Sequence, residues 1–396
     1  MLKDELSRHL TERLLPFWQD MADPDNGGFY GRMDNDLVID RTAYKGCILN
    51  SRILWTFATA ARVLRDDQYL RDAERAYQFL KRFEDRQRGG MVWSVTADGR
   101  PLDETRHVYC QAFAIYGLAA YMRALSPDAP AHEEARAWAM RLFELIEGPL
   151  SDEGGYGEAF DADLKPAGNE RLSDNPTLMA RGVTAGRTMN TLLHVLEAYA
   201  ELYRATGDAR VQAAGRICLE RFLNKMYNPA AGRLEVFFDS DYRSLLDMQS
   251  YGHDVEASWL IWDAAEALLA PEELSPYRDM CVTLARSVLQ RGTTANGVRN
   301  EWVEGETDEK RVWWVQAEAL LGFDNAYTLT GEEAFHLASE AQWDYICRAV
   351  IDPRPGSEWF DSVSEQGVPF VKPIVDAWKC PYHNGRMCLR VIEKYS

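Results

Sequence analysis

Apolar residues recur along this chain at helical spacing, in two alternating grades. The first grade is apolar around most of the helix circumference: CILNSRILWTFATAARVL (47–64), VYCQAFAIYGLAAYMRAL (108–125), TMNTLLHVLEAYAELYRAT (188–206), VEASWLIWDAAEALL (255–269), VWWVQAEALLGFDNAYTLT (312–330) and NGRMCLRVIEKY (384–395). The second grade carries more charge and one narrower stripe: DAERAYQFLKRFED (72–85), HEEARAWAMRLFELIE (132–147), RVQAAGRICLERFLNKMY (210–227), PYRDMCVTLARSVLQ (276–290) and EEAFHLASEAQWDYICRAV (332–350), with the N-terminal MLKDELSRHLTERLLPFW (1–18) as its sixth member. Helices apolar all round belong inside and one-stripe helices outside. Six of each, alternating, predict an all-α (α/α)6 barrel, six helical hairpins in a closed ring.

Ahead of each inner helix comes a segment rich in glycine and aromatics: NGGFYGRMDND (26–36), RGGMVWSVTADG (88–99), EGGYGEAFDADL (153–164), AGRLEVFFDSDY (231–242), NGVRNEWVEGE (296–306) and PGSEWFDSVSEQG (355–367). Alternating apolar residues ending in turn residues read as short β-hairpins. All six lie at the same ends of inner helices, so they gather at one mouth of the barrel. No linker or low-complexity tract interrupts the series, and residues 1–396 read as one catalytic domain.

Composition narrows the function classes. The hydrophobic fraction of 46%, with 12 Trp and 18 Tyr, supplies a large core. The formal charge of −18 argues against a nucleic-acid partner, because that affinity comes from cations on phosphate. Seven scattered cysteines without a CxxC pair read as free thiols in a reducing cytosol. The charged amphipathic N-terminus does not read as a signal peptide, and no run approaches the roughly 18 apolar residues of a membrane span. The expected ligand is a small neutral or cationic molecule, the expected compartment the cytoplasm, and the oligomeric state stays open between monomer and dimer.

Of seven histidines, His9, His132 and His336 fall on outer helices and read as exposed or capping. His107, His194, His253 and His383 fall near the mouth, where neutral imidazoles serve as general acids and bases. In SYGHDVEASW (250–259), His253 and Glu256 share a helical face, and Glu256 is expected to orient that imidazole, while Asp254 complements the helix dipole. HxxE alone is no metal motif, and HExxH or cysteine-rich spacings are missing, so neither metal nor cofactor is expected. GxGxxG, GxxxxGKS/T and GxSxG are missing too. A glycoside hydrolase, which needs two carboxyls across the scissile bond, stays open through Glu301, Glu304, Glu318 and Asp376. Trp259, Trp313, Trp314 and Trp378, with Tyr109 and Tyr251, suit the apolar faces of a sugar. Arg52, a cation in an apolar helix, reads either as half of an internal ion pair or as a group that holds a developing oxyanion.

With those residues laid out, the chain resembles the N-acylglucosamine 2-epimerase superfamily, most nearly its cellobiose 2-epimerase branch. The likeness runs from Leu10 to the C-terminus through PFW (16–18), NGGFYG (26–31), SRILW (51–55), FAIY (113–116), TMNTLLHVLEAY (188–199), SYGHDVEASWL (250–260), RVWWVQAEA (311–319) and WKCPYHNGRMC (378–388). It departs in YCQAF (109–113), where the branch carries Asn after the Tyr. The resemblance implies an (α/α)6 barrel that reversibly inverts C2 of an aldose without metal or nucleotide. It implies His253 and His383 as the acid/base pair, His194 as the third histidine and Asn190 one turn before it. Arg52, Tyr109, Glu256, Trp259, Trp314 and Trp378 match pocket positions. Cellobiose-type disaccharides are the expected substrates, ahead of free mannose and N-acylglucosamine; a non-catalytic sugar- or protein-binding relative is the remaining reading.

Overall fold

The computed structural model describes residues 2–173 and 175–396. The chain begins with α1 (Leu2–His9), a π-helical turn (Leu10–Leu14) and α2 (Leu15–Asp20). Then follow α3 (Cys47–Leu64), α4 (Gln68–Leu80), α5 (Val108–Ala124), α6 (Pro130–Glu147), α7 (Pro176–Ala180), α8 (Met189–Thr206) and α9 (Ala209–Arg221). The last helices are α10 (Tyr251–Leu268), α11 (Ser275–Arg291), α12 (Trp313–Thr330), α13 (Glu333–Tyr345) and α14 (Tyr382–Lys394). The two grades of hydrophobic pattern become two layers. Every residue of α3 from Cys47 to Ala61 is buried, whereas α4 buries the stripe Tyr69, Ala73, Ala76, Tyr77 and Leu80, with Phe79 beside it.

The inner helices α3, α5, α8, α10, α12 and α14 pack in that order, and α14 returns to α3. Each carries an outer partner: α4 on α3, α6 on α5, α9 on α8, α11 on α10 and α13 on α12, with α1 on α14. The N-terminal helix therefore closes the ring, which is the expected (α/α)6 barrel. Close approach has a sequence signature: a Cβ at Gly117 of α5 would sit 2.7 Å from the Ser51 carbonyl oxygen of α3. The short α7, capped by the Asn175 side chain on Thr177 N, was not in the expected pattern. No helix among the described residues is long and apolar enough to cross a membrane.

The mouth strands differ in one respect from expectation. Hairpins within a loop exist, as in 301–303 against 306–308, but the recurring pairing is between neighbours. Each strand entering an inner helix pairs antiparallel with the next unit's loop: Lys45 opposite Val95, Arg106 opposite Phe160, Thr188 opposite Phe237, Ser250 opposite Glu301 and Val312 opposite Ser362. Met33 bridges Val375 and completes the circle. Strands this short are marginal as lone hairpins, so each gains its stability from the neighbouring unit.

Two polar devices repeat with the fold. A cation just ahead of an inner helix reaches back to a carboxylate on its own unit's loop: Lys45 to Asp23 (2.7 Å), Arg106 to Asp85 (2.5 Å), Arg187 to Asp152 (2.6 Å) and Lys379 to Glu358 (2.9 Å). Asp23, Asp85 and Asp152 also cap their own turns through backbone N–H groups. The fourth helix residue then clasps the loop backbone. Gln111 holds Met91 N and O (2.7 and 2.9 Å), Gln316 holds Val298 N and O (2.9 and 2.8 Å), and Asp254 accepts from Leu234 N at 2.9 Å. Asp254 is thus a loop clasp rather than a dipole complement, because its carboxylate is turned sideways onto a neighbouring strand.

Asp23→Ala should leave a fully buried ammonium at Lys45 without its counter-ion. Breaking a buried pair this way costs about 3–5 kcal/mol, read as a fall in the urea midpoint at unchanged m-value. Arg136→Ala, which removes an exposed pair with Glu133, should leave the midpoint where it is.

Candidate active site

Two positions from the fourth residue, and so across the helix axis, the sixth residue of an inner helix points to the centre of the barrel. Those residues are Arg52 in α3, Phe113 in α5, His194 in α8, Glu256 in α10 and Glu318 in α12. Above them, in the first turns, stand Tyr109, Asn190, His253, Trp313, Trp314 and His383. Helix geometry therefore brings together side chains that are scattered over most of the chain.

Three of the four mouth histidines converge. The Trp314 ring lies 5.0 Å from His253 and 5.5 Å from His383, centroid to centroid. His383 reaches the Tyr382 ring at 4.6 Å, and Tyr382 reaches His194 at 6.2 Å. Tyr109 and Phe113 flank His194 at 5.1 and 4.7 Å. His107 stands apart, buried against Trp93 at 4.8 Å in the wall of the mouth. Outer-layer His9 is neither exposed nor capping. It packs between Trp343 and Trp359, and its Nε2 accepts the Trp359 indole N–H at 2.9 Å.

Arg386 is the centre of the buried polar layer. Its guanidinium contacts Glu197 (2.5 Å), Glu256 (2.5 Å) and Glu318 (2.7 Å), carboxylates from three different helices. Glu318 supports His383 by accepting from Nδ1 at 2.6 Å, and Glu197 supports His194 by accepting from Nδ1 at 2.9 Å. Tyr382 donates to Glu197 at 2.5 Å. His253 is different, for its Nδ1 meets the Ser250 hydroxyl at 2.8 Å. Glu256 therefore does not orient His253 as HxxE suggested. It turns inward to Arg386 and lies 3.8 Å from His383 Nδ1, because a guanidinium at the barrel axis is the stronger attractor. The same spacing at 194–197 does make the His–Glu contact.

Burial sets the protonation states. It pushes His253 down to about 3, and with Arg52 and Arg386 holds His383 well below the usual imidazole range. Burial also lowers His194, against the pull of Glu197. All three are neutral at pH 7, each with one N–H and one lone pair. Burial opposes charge on Glu197 as well, but Arg386 and His194 outweigh it and keep the carboxylate ionised. Burial, then repulsion from Glu318, raises Glu256 to about 8, and burial raises Glu318 too. Glu318 accepts from Trp259, Arg386 and His383, so it is the ionised member and Glu256 holds the proton. The donor atoms of Glu256, Glu318 and His383 lie within 4.8 Å of one another, a spacing fit for a metal. The Arg386 guanidinium already spans the two carboxylates, and a cation there would have to displace it.

Arg52 is buried at 3% exposure, and among the described residues no carboxylate lies within 4 Å of it. Its guanidinium donates to the Tyr109 hydroxyl (3.0 Å) and the Trp378 carbonyl (3.3 Å), and lies over the rings of Phe113 and Tyr382 (4.2 and 4.5 Å). The internal ion pair is thereby set aside. The tryptophans divide. Trp378 is 38% exposed and meets Trp93 at 5.6 Å beside a cleft of about 750 Å³, which Tyr44, Asp103 and Arg171 also line. Trp259 is buried, and its indole N–H donates to Glu318 at 2.8 Å, so it braces the carboxylate instead of offering a face to a sugar. Trp313 is likewise buried, edge-on to His383 at 5.3 Å. Among the four rival carboxyls, Glu304 pairs with Arg181, Asp376 caps the turn at Trp378, and Glu318 lies beneath His383. Sequence reasoning missed Glu197, Ser250, Tyr382 and Arg386. A charge inside an apolar helix, the signal that marked Arg52, also marks Glu197 and Arg386.

The N-acylglucosamine 2-epimerase (GlcNAc 2-epimerase) family model matches residues 28–385. The chain belongs to this family. It is 43% identical to the cellobiose 2-epimerase of Eubacterium cellulosolvens, over 99% of this chain and 98% of that one. It is 41% identical to the cellobiose 2-epimerase of Ruminococcus albus, over 100% and 99%. The solved cellobiose 2-epimerase of Bacillus thermoamylovorans superposes with a TM-score of 0.94 at 40% identity, covering 99% of both chains. In this member of the GlcNAc 2-epimerase family, helix packing at the site leaves no slack. A Cβ on Gly252, the residue before His253, would lie 2.5 Å from Trp314 Cη2 and 2.6 Å from Val315 Cγ2.

Gly252→Ala should therefore push Trp314 off the two histidines. Overpacking of this kind costs about 1–3 kcal/mol, seen as a lowered denaturation midpoint with a changed near-ultraviolet tryptophan signal. An unchanged near-ultraviolet spectrum would show that Trp314 keeps its place and the added methyl is taken up elsewhere.

Proposed function

We propose that the protein inverts C2 of the reducing-end glucose of β-1,4-disaccharides such as cellobiose and lactose, giving the mannose epimer. The observation that carries this reading is three neutral histidines around one buried arginine that has no carboxylate partner among the described residues. The substrate follows from relatives named for cellobiose at about two-fifths identity over the whole chain, and from the aromatic cleft at Trp378 and Trp93, which offers room for a second ring beyond the histidines. Seven cysteines without a disulfide support a cytoplasmic setting.

The C2 hydrogen becomes acidic once the ring opens and C1 is an aldehyde. His194, one turn deeper than the others, serves ring opening and proton traffic between O1 and O2. One of His253 and His383 takes the C2 proton and leaves a cis-enediolate, whose charge meets Arg52 and the Tyr109 hydroxyl. A guanidinium with no carboxylate beside it is what a developing oxyanion needs. The other histidine, first protonated from solvent, returns that proton to the opposite face, and the first passes the C2 proton to solvent. Exchange with solvent resets both imidazoles, so each can serve as base or, once protonated, as acid, and the reaction is reversible. Reprotonation at C1 gives the 2-keto sugar as a slow side product. These steps draw on side chains and solvent alone.

Incubation with cellobiose in D2O should give glucosyl-mannose with deuterium at C2 and no free glucose, read by NMR. Stoichiometric glucose would establish a hydrolase instead, and conversion of mannose or N-acetylmannosamine but not cellobiose would move the activity to a monosaccharide. His253→Ala and His383→Ala should each lower kcat by about 10²–10⁴-fold, while His132→Ala and His336→Ala, on outer helices, stay at wild-type rate. Retention of a tenth of kcat in either of the first two would remove that histidine from the chemistry.

A further inference from the structure

We infer that Glu197, held by Arg386 and Tyr382, is the positioning residue that locks His194 in the Nδ1–H form and presents its Nε2 lone pair to the sugar. The proposal rests on the epimerase reading above and assigns a role to a residue outside the expected site. Glu197 is the ninth residue of α8, one turn below His194, and both are buried. Its two oxygens are divided between two tasks. Oε2 faces His194 Nδ1 at 2.9 Å and the Tyr382 hydroxyl at 2.5 Å, while Oε1 takes Arg386 at 2.5 Å.

The direction of the histidine contact follows from this arrangement. A carboxylate that already receives Arg386 and Tyr382 is ionised and accepts only. The His194 nitrogen facing it must then carry the proton, which leaves Nε2 as the acceptor. His253 has no such lock, since its partner Ser250 carries a hydroxyl that both donates and accepts. Neutral His194 therefore accepts at Nε2, as neutral His383 does over Glu318, and is suited to drawing a proton from a sugar hydroxyl during ring opening, whereas His253 is free to give or take.

Arg386 makes the lock part of a larger clamp. The same guanidinium fixes Glu318 behind His383, so a residue on α14 aligns imidazoles on α8 and on its own helix. Charge on Glu197 in turn depends on Arg386, because an unpaired buried carboxylate would take up a proton.

The test is Glu197→Gln, which keeps the shape and removes the fixed acceptor. Its kcat should fall about 10–100-fold, the usual effect of removing a group that orients a catalytic histidine, with KM little changed. Enzyme-catalysed mutarotation, followed by polarimetry, should fall by the same factor, since it reports ring opening without C2 chemistry. In a His194→Ala background the same change should cost nothing further. An equal additional loss there, or a Glu197→Gln enzyme with more than half of wild-type kcat, would overturn the assignment. Should Glu197→Gln fail to fold, Glu197→Asp keeps the charge on Arg386 while withdrawing from His194 and should show the same pattern. The tautomer is readable without turnover. Nitrogen-15 NMR of His194 should show protonated Nδ1 and bare Nε2 in wild type, and a protonated Nε2 there would overturn the lock even if the protein epimerises no sugar. Wild type that lacks epimerase activity yet shows this tautomer would sink the function and leave the lock standing.

Discussion

A single buried guanidinium organises the centre of this barrel. Arg386 carries no exposed surface, and taking such a cation out of water costs several kcal/mol before any partner is found. It therefore gathers carboxylates from α8, α10 and α12, and those carboxylates in turn hold His194 and His383. The order of dependence is physical. Arg386 keeps Glu197 charged, Glu197 sets His194, and competition between Glu256 and Glu318 for the same guanidinium leaves one proton to the pair. Remove the cation and the two charged carboxylates, Glu197 and Glu318, lose their reason to be ionised.

The fold supplies this centre by simple helical arithmetic. On α5, α10 and α12 the fourth residue looks outward to clasp a loop, and on five of the six inner helices the sixth looks inward to the axis. Gln111 and Gln316 do the first, Arg52, Glu256 and Glu318 the second. Structure and chemistry thus use opposite faces of the same helical turns, and the cation–carboxylate staples keep the loops from shifting the first turns on which Tyr109, Asn190 and His383 stand. The residues that hold the site belong to the repeat that holds the barrel.

Much of this was legible in the chain. Two grades of apolar helix gave the layers, the glycine–aromatic segments gave the mouth, and Arg52 stood out as a charge where none belongs. The blocks around His194, His253 and His383 carried the family. What misled was local reasoning about polar partners. HxxE at 253–256 and 194–197 looks the same in sequence, yet one pair forms and the other does not, because Arg386 lies nearer to Glu256 than His253 does. Trp259 reads as a sugar platform and turns out to brace Glu318. His9 reads as a surface group and is packed between two indoles.

The difference has one cause. Periodicity is a property of neighbours in the chain, so the sequence by itself determined the helices, their inner and outer ranks, the closed ring and the end at which chemistry gathers. A buried hydrogen bond goes to whichever donor or acceptor is nearest in space, and at the axis of a six-fold ring those donors arrive from helices far apart in sequence. Hence the partners of the histidines, the protonation of the carboxylates and the open charge on Arg52 were decided only when the ring closed and α14 brought Arg386 to its centre.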